Sequence, residues 1–217
     1  MKKIIGVIAR PDKNITSKNV FIMYDAFKNI ILENNMLPLN IIPPTTNINS
    51  AMKSDELKDF YNLLNLCDGL ILQGGDEFYD YDKKVVEYAI NKDVPILGIC
   101  LGMQVMASLE ENNLKKLDSN LHNQEKNYAH SIKISENSLL YKILNKDKIN
   151  VNSYHKEHVI SSGIYKIVAK SNDNVIEAIE YNKNKFNVGL QFHPEKTYYI
   201  DDNMKKIFKY FFDIVNT

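Results

Sequence analysis

One cysteine, Cys100, stands where the sequence favours nucleophilic chemistry. It follows the apolar run VPILGI (94–99) and precedes a helical pattern, with Gly98 and Gly102 each two residues away. A nucleophile at a sharp strand-to-helix turn needs small neighbours, and the turn aims its sulfur at the edge of the sheet. The N-terminal end of the following helix also favours a thiolate. The alternative is a small buried hydrophobic side chain, a common role of cysteine.

A histidine and a glutamate near the end of the chain could activate this cysteine. The apolar run FNVGLQF (186–192) leads into His193, Pro194 and Glu195. In an extended chain, residues i and i+2 point the same way, so Glu195 can accept a hydrogen bond from one ring nitrogen while the other faces the sulfur. The alternative is a strand end at the surface. Together the two segments favour Cys100 as nucleophile, His193 as base and Glu195 as the residue that orients the base.

These residues need a scaffold that brings distant segments together, and the first half of the chain predicts one. Its apolar runs alternate with amphipathic patterns typical of helices. The predicted strands cover 3–9, 37–43, 68–74 and 94–99, and the predicted helices cover 20–35, 54–65 and 82–91. This rhythm predicts an α/β fold with a mostly parallel sheet flanked by helices. The carboxyl ends of such strands meet at one edge, so we expect Arg10, the segment 74–76 and Cys100 to converge there.

The second half of the chain changes to short runs typical of strands. These runs cover 129–134, 149–151, 158–160, 166–169, 175–181 and 186–192, and an amphipathic helix is predicted over 202–215. This strand-rich half either extends the sheet or folds over its edge. No repeat or low-complexity linker interrupts the chain, so we expect a single domain over residues 1–217, although its length allows one or two domains.

The two motifs together resemble those of a known superfamily. The pattern G-x-C-x-G-x-Q covers 98–104 and H-P-E covers 193–195, which is similar to the class I glutamine amidotransferases. The resemblance spans nearly the whole chain and implies a flavodoxin-like sheet. It also implies a thiolate at Cys100 that forms a γ-glutamyl thioester, with His193 and Glu195 completing the triad.

The same resemblance implies roles for residues around the nucleophile. Backbone N–H groups of Leu101, Gly74 and Gly75 would hold the oxyanion of the tetrahedral intermediate. Gln104, one helical turn after the nucleophile, would help to hold the glutamyl part of the substrate. The implied site thus combines the end of one strand with the start of one helix.

Within this superfamily the chain is most similar to the γ-glutamyl hydrolases that cleave amides such as γ-glutamyl-γ-aminobutyrate. QGGDEFYDYD (73–82) follows the third predicted strand, and VNSYHKEHVI (151–160) stands where those hydrolases have V-N-S-x-H-H-Q. No attached synthetase domain is expected. Two features depart from the pattern: Leu101 replaces an arginine and is more typical of ammonia-supplying glutaminases, and no proline closely follows Asp76. The glutamyl pocket is therefore better supported than the leaving-group pocket.

Several basic and polar residues are candidates for a leaving-group pocket. Of the 27 basic residues, Arg10 is the single arginine, and its guanidinium could fork onto a carboxylate or phosphate or simply end a strand at the surface. Ser153 and His155 could line the pocket or belong to a solvated loop, and Lys156 could add a charge. Such a set would suit a phosphorylated leaving group, as in the γ-glutamyl-cytidine-diphosphoramidate hydrolases of capsule biosynthesis, which this chain resembles in size and architecture.

Composition and motifs exclude several classes of function. Acidic and basic residues balance at 27 each, so no net charge holds a nucleic-acid backbone. No run suits a signal peptide or a membrane span, so we expect a cytoplasmic protein in which Cys67 and Cys100 are free thiols. No metal-ligand or phosphate-loop motif is present, so we expect no metal and no cofactor. His130 fits a core or surface histidine better than a site residue.

The expected protein is a cysteine hydrolase that cleaves the γ-glutamyl amide bond of a small γ-glutamyl substrate and releases glutamate. One alternative, which Leu101 favours, is a glutaminase subunit that delivers ammonia to a separate synthetase chain. Another is a binding module without activity on the same fold, against which the intact cysteine, histidine and glutamate argue. The sequence determines neither the amine that leaves nor the oligomeric state.

Overall fold

The computed structural model describes residues 1–13, 16–111, 113–117 and 120–217. The strands are β1 (Ile4–Ile8), β2 (Arg10–Lys13), β3 (Asn19–Ile22), β4 (Leu37–Ile41), β5 (Gly69–Leu72), β6 (Ile96–Ile99), β7 (Leu114–Lys116), β8 (Asn123–Gln124), β9 (His130–Ile134), β10 (Lys148–Val151), β11 (Ser153–Tyr154), β12 (Glu157–Val159), β13 (Lys166–Ser171), β14 (Ile176–Glu180) and β15 (Asn187–Leu190). The helices are α1 (Asp25–Glu33), α2 (Ser54–Leu64), α3 (Asp80–Lys92), α4 (Leu101–Ala107), α5 (Leu139–Leu144) and α6 (Asp202–Val215). Short 3-10 turns cover Asn120–His122 and Pro194–Lys196.

A nine-stranded sheet in the order β10-β9-β13-β14-β15-β6-β5-β1-β4 organises the molecule. The strands from β4 to β15 pair in parallel, and those from β15 to β10 pair antiparallel. The expected α/β fold with a large sheet flanked by helices is confirmed. Of the strand-rich half, β9, β10, β13, β14 and β15 extend the sheet, whereas the run predicted at 158–160 is β12, which pairs with β7 in a separate two-stranded sheet.

Alternate residues of the parallel strands pack on opposite faces of the sheet. Ile5 and Val7 belong to a hydrophobic cluster that α1 and α6 cover, whereas Leu70 and Leu72 belong to a second cluster that α2, α3 and α4 cover. Full burial of an aliphatic or aromatic side chain stabilises the fold by about 1.5–3 kcal/mol. None of the described helices is both long and apolar enough to cross a membrane.

The four strands that lead into the site are neighbours in the parallel part of the sheet. β1 leads to Arg10, β5 to Gly74, β6 to Cys100 and β15 to His193. Because β1, β5, β6 and β15 run in the same direction, their carboxyl ends open onto one edge. The expected convergence at this edge is confirmed.

The helix predicted over 20–35 is wrong in its first part. Residues Asn19–Ile22 form β3, which pairs antiparallel with β2 and places Ile22 opposite Arg10, and the helix begins only at Asp25. The apolar run VFIM has the composition of either element, and its partner strand decides between them. The short strands β2, β7, β8 and β11 and the helix α5 were not predicted either.

Candidate active site

Cys100 lies between β6 and α4 in a strained backbone conformation. Its φ is 52° and its ψ is −104°, a region that side chains rarely adopt and that costs about 1–3 kcal/mol where surrounding structure enforces it. The backbone N–H of Cys100 donates to the carbonyl of Leu190 at 2.7 Å, which ties the turn to β15. The turn needs glycine at position 102, where a Cβ would lie 2.1 Å from the Leu72 oxygen. The sheet therefore holds the sulfur at its edge.

His193 and Glu195 form a short hydrogen bond just beyond β15. Nδ1 of His193 lies 2.6 Å from Oε1 of Glu195, and both residues are buried. The pair meets as predicted, but for a different local reason. β15 ends at Leu190, and Glu195 lies in the 3-10 turn Pro194–Lys196 rather than in an extended strand.

The imidazole of His193 faces the sulfur of Cys100 across Gly74. A Cβ at Gly74 would lie 2.9 Å from Cε1 of His193 and 3.6 Å from the Cβ of Cys100, so only glycine leaves room for this approach. Burial disfavours the imidazolium, but the charges of Glu195 and Cys100 and hydrogen bonds to both outweigh it and raise the pKa of His193 to about 10. A protonated imidazole is the partner that stabilises a thiolate.

Two further residues position the imidazole, and sequence reasoning missed both. The side chain of Asn152 accepts a hydrogen bond from the backbone N–H of His193 at 2.8 Å and donates to its carbonyl at 2.7 Å. The ring of Tyr154 packs edge-on against the imidazole, with centroids 5.6 Å apart. The VNSY sequence at 151–154 was the only sequence signal for these two residues. Their role depends on contact with the distant segment at His193, which the local sequence does not show.

Gln104 lines the same cavity as Cys100. Its Nε2 donates to the carbonyl of Glu157 at 3.1 Å and to Oε1 of Gln191 at 3.4 Å. Nε2 of Gln191 in turn lies 3.6 Å from the sulfur of Cys100. The two amides thus join α4, the end of β15 and the 155–157 segment around the sulfur.

Within the described ranges, backbone N–H groups without a partner occur in two segments next to Cys100, at Leu101 and at Gly74 and Gly75. Leu101 begins α4, and the first N–H groups of a helix have no partner within it. Among the described residues, no backbone or side-chain acceptor takes a hydrogen bond from the N–H of Gly74 or Gly75. A Cβ at Gly75 would lie 3.1 Å from Cδ2 of Leu101, so the two donor segments are neighbours. This arrangement suits the stabilisation of an oxyanion.

Two cavities open at Cys100 and share Gly75, Asp76 and Tyr154. The first, of about 410 Å³, is lined by Tyr24, Asp25, Ala26, Gly74, Gly75, Asp76, Cys100, Tyr154, His193, Glu195 and Lys196. The second, of about 560 Å³, is lined by Gly75, Asp76, Cys100, Gln104, Lys116, Leu117, Asn123, Tyr154, His155, Lys156 and Glu157. A substrate can therefore place one part in each cavity, with the sulfur of Cys100 between them.

More than half of the chain matches a known protein family. Residues 79–195 match the family model described as Peptidase C26. The chain belongs to the Peptidase C26 family. The glutamine-hydrolyzing GMP synthase subunit of Methanococcus aeolicus is 31% identical over 177 residues, which cover 81% of this chain and 83% of that protein. The resemblance to the class I glutamine amidotransferase-like superfamily is confirmed, and the chain is a hydrolase that acts on C–N bonds.

Solved structures share the fold of this Peptidase C26 protein. The glutaminase domain of Trypanosoma brucei CTPS, with bound acivicin, has a TM-score of 0.70 at 16% identity and covers 99% of this chain and 94% of that one. A glutamine amidotransferase from Thermotoga maritima has a TM-score of 0.61 at 17% identity, covering 100% and 85% of the two chains. At these identities the likeness shows the fold.

In this Peptidase C26 protein Arg10 is paired internally, which corrects its expected role in anion recognition. Its Nη1 lies 2.7 Å from Oδ1 of Asp82, and its Nε and Nη2 donate to the carbonyl of Gln73. Only 3% of its side chain is exposed. The guanidinium makes these contacts within the protein. It therefore holds Gln73, the residue that precedes Gly74, and is not available to bind a leaving group.

Ser153 is likewise internal, which corrects its expected place in the pocket. It is fully buried, and its hydroxyl donates to the carbonyl of His122 at 2.8 Å. His155 does line the larger cavity, but its Nδ1 contacts the carbonyl of Glu157 at 2.9 Å and its ring is buried. Lys156 lines the same cavity and is exposed.

The two thiols are separate, as expected. Cys67 and Cys100 are both free and buried. Burial, together with the charge of Asp68, raises the pKa of the Cys67 thiol to about 12. A thiol that resists ionisation in this way is a poor nucleophile, so Cys67 has a packing role.

Proposed function

We propose that this protein hydrolyses the γ-glutamyl amide bond of a small γ-glutamyl compound and releases glutamate through a thioester on Cys100. The observation that carries the proposal is the contact of Cys100 with an imidazole that Glu195 holds in turn. His193 acts as acid and base, and Glu195 orients its ring. The strained turn at Cys100 supports this assignment because strain of this kind concentrates at functional sites.

Each step of the proposed reaction uses a group already in place. The thiolate of Cys100 adds to the γ-carbonyl, and the N–H groups of Leu101, Gly74 and Gly75 hold the resulting oxyanion. Each preorganised donor of this kind lowers the activation barrier by about 3–4 kcal/mol. Protonated His193 gives its proton to the leaving nitrogen as the C–N bond breaks. Water then adds to the thioester and gives a proton to His193, and the C–S bond breaks to release glutamate and restore the thiolate.

The two cavities support a division of the substrate across the sulfur. The glutamyl part would occupy the 560 Å³ cavity, where Gln104 lies beside the nucleophile. The leaving group would occupy the 410 Å³ cavity, which has room for a group larger than ammonia. Lys196 lines that cavity with its ammonium 3.5 Å from the ring centre of Tyr154, so it offers both a cation and an aromatic face. A phosphorylated leaving group would meet Lys196 and not the internally paired Arg10.

A glutaminase that supplies ammonia to a separate synthetase chain is the second candidate. Leu101 after the nucleophile favours it, as does the likeness to the glutamine-hydrolyzing GMP synthase subunit of Methanococcus aeolicus. In that case the 410 Å³ cavity would face a partner chain and the natural substrate would be glutamine itself.

Glutamate release by the purified chain separates the two candidates. We expect kcat/KM for N-substituted γ-glutamyl amides, such as γ-glutamyl-γ-aminobutyrate, to exceed that for glutamine by about tenfold or more, because the 410 Å³ cavity contributes binding only to the larger leaving group. Preference for glutamine, or activity that requires an added synthetase chain, would establish the second candidate instead.

Substitution of the two cysteines tests the nucleophile. Cys100→Ala is expected to abolish turnover, whereas the matched change Cys67→Ala keeps it, because Cys67 packs beneath Gly6, away from the site. Circular dichroism checks that both variants fold. Turnover that survives in folded Cys100→Ala would exclude the thioester route.

A further inference from the structure

We propose that His122, His130, His155 and Glu177 bind one divalent transition-metal ion, for which zinc is the best chemical match, at a structural site behind the wall of the active-site cleft. The four side chains come from the 3-10 turn Asn120–His122, from β9, from the segment after β11 and from β14. None of them takes part in the proposed hydrolysis.

The four side chains present one ligand atom each to a common centre. These atoms all lie within 4.8 Å of one another. Oε1 of Glu177 is 3.3 Å from Nδ1 of His122, 3.3 Å from Nε2 of His130 and 3.9 Å from Nε2 of His155. A tetrahedral zinc ion with bonds of about 2.0–2.1 Å separates its ligands by about 3.4 Å. The cluster therefore needs only small side-chain shifts to close around an ion.

The ligand atoms of this cluster are buried and lack hydrogen-bond partners among the described residues. They include Nδ1 of His122, Nε2 of His130, Nε2 of His155 and both carboxylate oxygens of Glu177. The histidine nitrogens lie near Oε1 of Glu177, but not in hydrogen-bonding geometry. A fully buried carboxylate is costly when the nearest imidazoles lie 3.3 Å away and its oxygens make no well-aligned hydrogen bond. A cation at the centre would satisfy the three histidine nitrogens and one oxygen of Glu177 at once.

The outer contacts of two histidines fix which nitrogen faces the centre. Nδ1 of His155 donates to the carbonyl of Glu157 at 2.9 Å, which leaves the lone pair of Nε2 toward Glu177. Nε2 of His122 lies 3.0 Å from Oδ2 of Asp173, which leaves Nδ1 toward the centre. Metal-binding histidines almost always bond a carboxylate or carbonyl through their other nitrogen in this way.

The bound ion would stabilise the structure of the cleft and would take no part in the reaction. Three imidazoles and one carboxylate complete a tetrahedron without leaving a position for water or substrate, which is typical of structural zinc. His155 follows Asn152 and Tyr154, the two residues that hold His193. The backbone N–H of His155 also donates to the carbonyl of His122 at 2.8 Å. A bound ion would thus anchor the segment that positions the imidazole.

Zinc uptake by the untagged full chain tests the site directly. All measurements use the Cys100→Ala background, so that the thiolate and His193 cannot bind the ion. The chain is stripped with chelator and titrated with Zn²⁺ against a chromophoric chelator, and we expect one equivalent to bind. Co²⁺ in its place should show the intense visible bands of a four-coordinate ion. A chain that stays folded and takes up no zinc would overturn the proposal.

Two variants that remove a ligand atom and one matched control show whether these residues bind the ion. Glu177→Gln and His130→Gln should each weaken zinc binding by about 100-fold or more, since loss of an outer partner alone costs 10–100-fold. His158→Gln is the control, because His158 lies on β12 nearby but outside the cluster. Unchanged affinity in the first two variants, or equal loss in all three, would contradict the assignment.

If the variants do not fold, the site can be tested in the chain that keeps all four ligand residues. In that case, X-ray absorption of the zinc-loaded Cys100→Ala chain should show three imidazole ligands and one oxygen ligand, and added zinc should raise its thermal midpoint with saturation at one equivalent. Sulfur ligation, or a midpoint that zinc does not move, would overturn the site.

Discussion

Cys100 and His193 meet because the backbone of each is held by hydrogen bonds within the protein, without a substrate. The N–H of Cys100 is tied to β15, and the N–H and carbonyl of His193 are both tied to the side chain of Asn152. A site preorganised in this way spends no substrate binding energy on ordering its own groups. At the residue scale, we propose that reactivity depends on Glu195, because its charge raises the pKa of the imidazole of His193.

Glu195→Gln should shift the alkaline limb of the pH profile of kcat/KM to lower pH and lower kcat by about 10²–10⁴-fold. The charges of Glu195 and Cys100 raise the pKa of His193 from 6.5 to about 10. Loss of the carboxylate charge lowers that pKa, so the imidazolium is lost at a lower pH. The pH dependence of Cys100 alkylation gives an independent measurement. The exposed Glu136→Gln is the control, and an alkaline limb that does not move would contradict the role of Glu195.

Arg10 connects three elements beneath the site. Its guanidinium joins the start of β2 to Asp82 on α3 and to the carbonyl of Gln73 after β5. Burial raises the pKa of Asp82, and the adjacent guanidinium opposes this shift. At the element scale, the ion pair fixes where the strand end at 73–75 lies relative to the helix that follows it.

Arg10→Ala should lower the free energy of unfolding by about 3–5 kcal/mol, because it leaves a buried carboxylate without its cation. The double change Arg10→Met with Asp82→Leu removes both charges and should recover much of the loss. Urea unfolding followed by circular dichroism measures both. Arg10→Ala with full stability and a specific loss of affinity for an anionic leaving group would restore the anion-binding role that the geometry rejects.

The two halves of the chain share one sheet and a hydrophobic cluster. β15, from the C-terminal half, lies between β14 and β6, and a single hydrophobic cluster contains Ile5 as well as Phe211. Opening either half alone would expose a buried strand edge and apolar surface. At the scale of the whole molecule, residues 1–217 are therefore proposed to form one domain.

Urea should unfold the chain in one cooperative transition. The chain has 13 tyrosines and no tryptophan, so tyrosine fluorescence reports on side-chain packing while far-ultraviolet circular dichroism reports on helices and strands. The two signals are expected to share one midpoint, measured with excess chelator so that metal binding does not contribute. Two separated midpoints would mean that the halves unfold as independent domains.

The turn at Cys100, the contact of His193 with Glu195 and the alternation of strands and helices were all predictable from the sequence. Each depends on neighbours within a few residues, namely the glycines around Cys100, the spacing of His193 and Glu195, and the apolar periodicity of each run. The convergence of their strands at one edge follows from the direction shared by parallel strands.

Contacts between distant segments were decided only by the tertiary structure. The pairing of Arg10 with Asp82, the clamp of Asn152 on His193 and the β2-β3 hairpin each depend on a partner that the local sequence does not specify. The same holds for the cluster around Glu177, whose histidines follow no ligand spacing along the chain. A side chain's hydrogen-bonding capacity is set by its type, whereas the partner that satisfies it is set by where folding buries it.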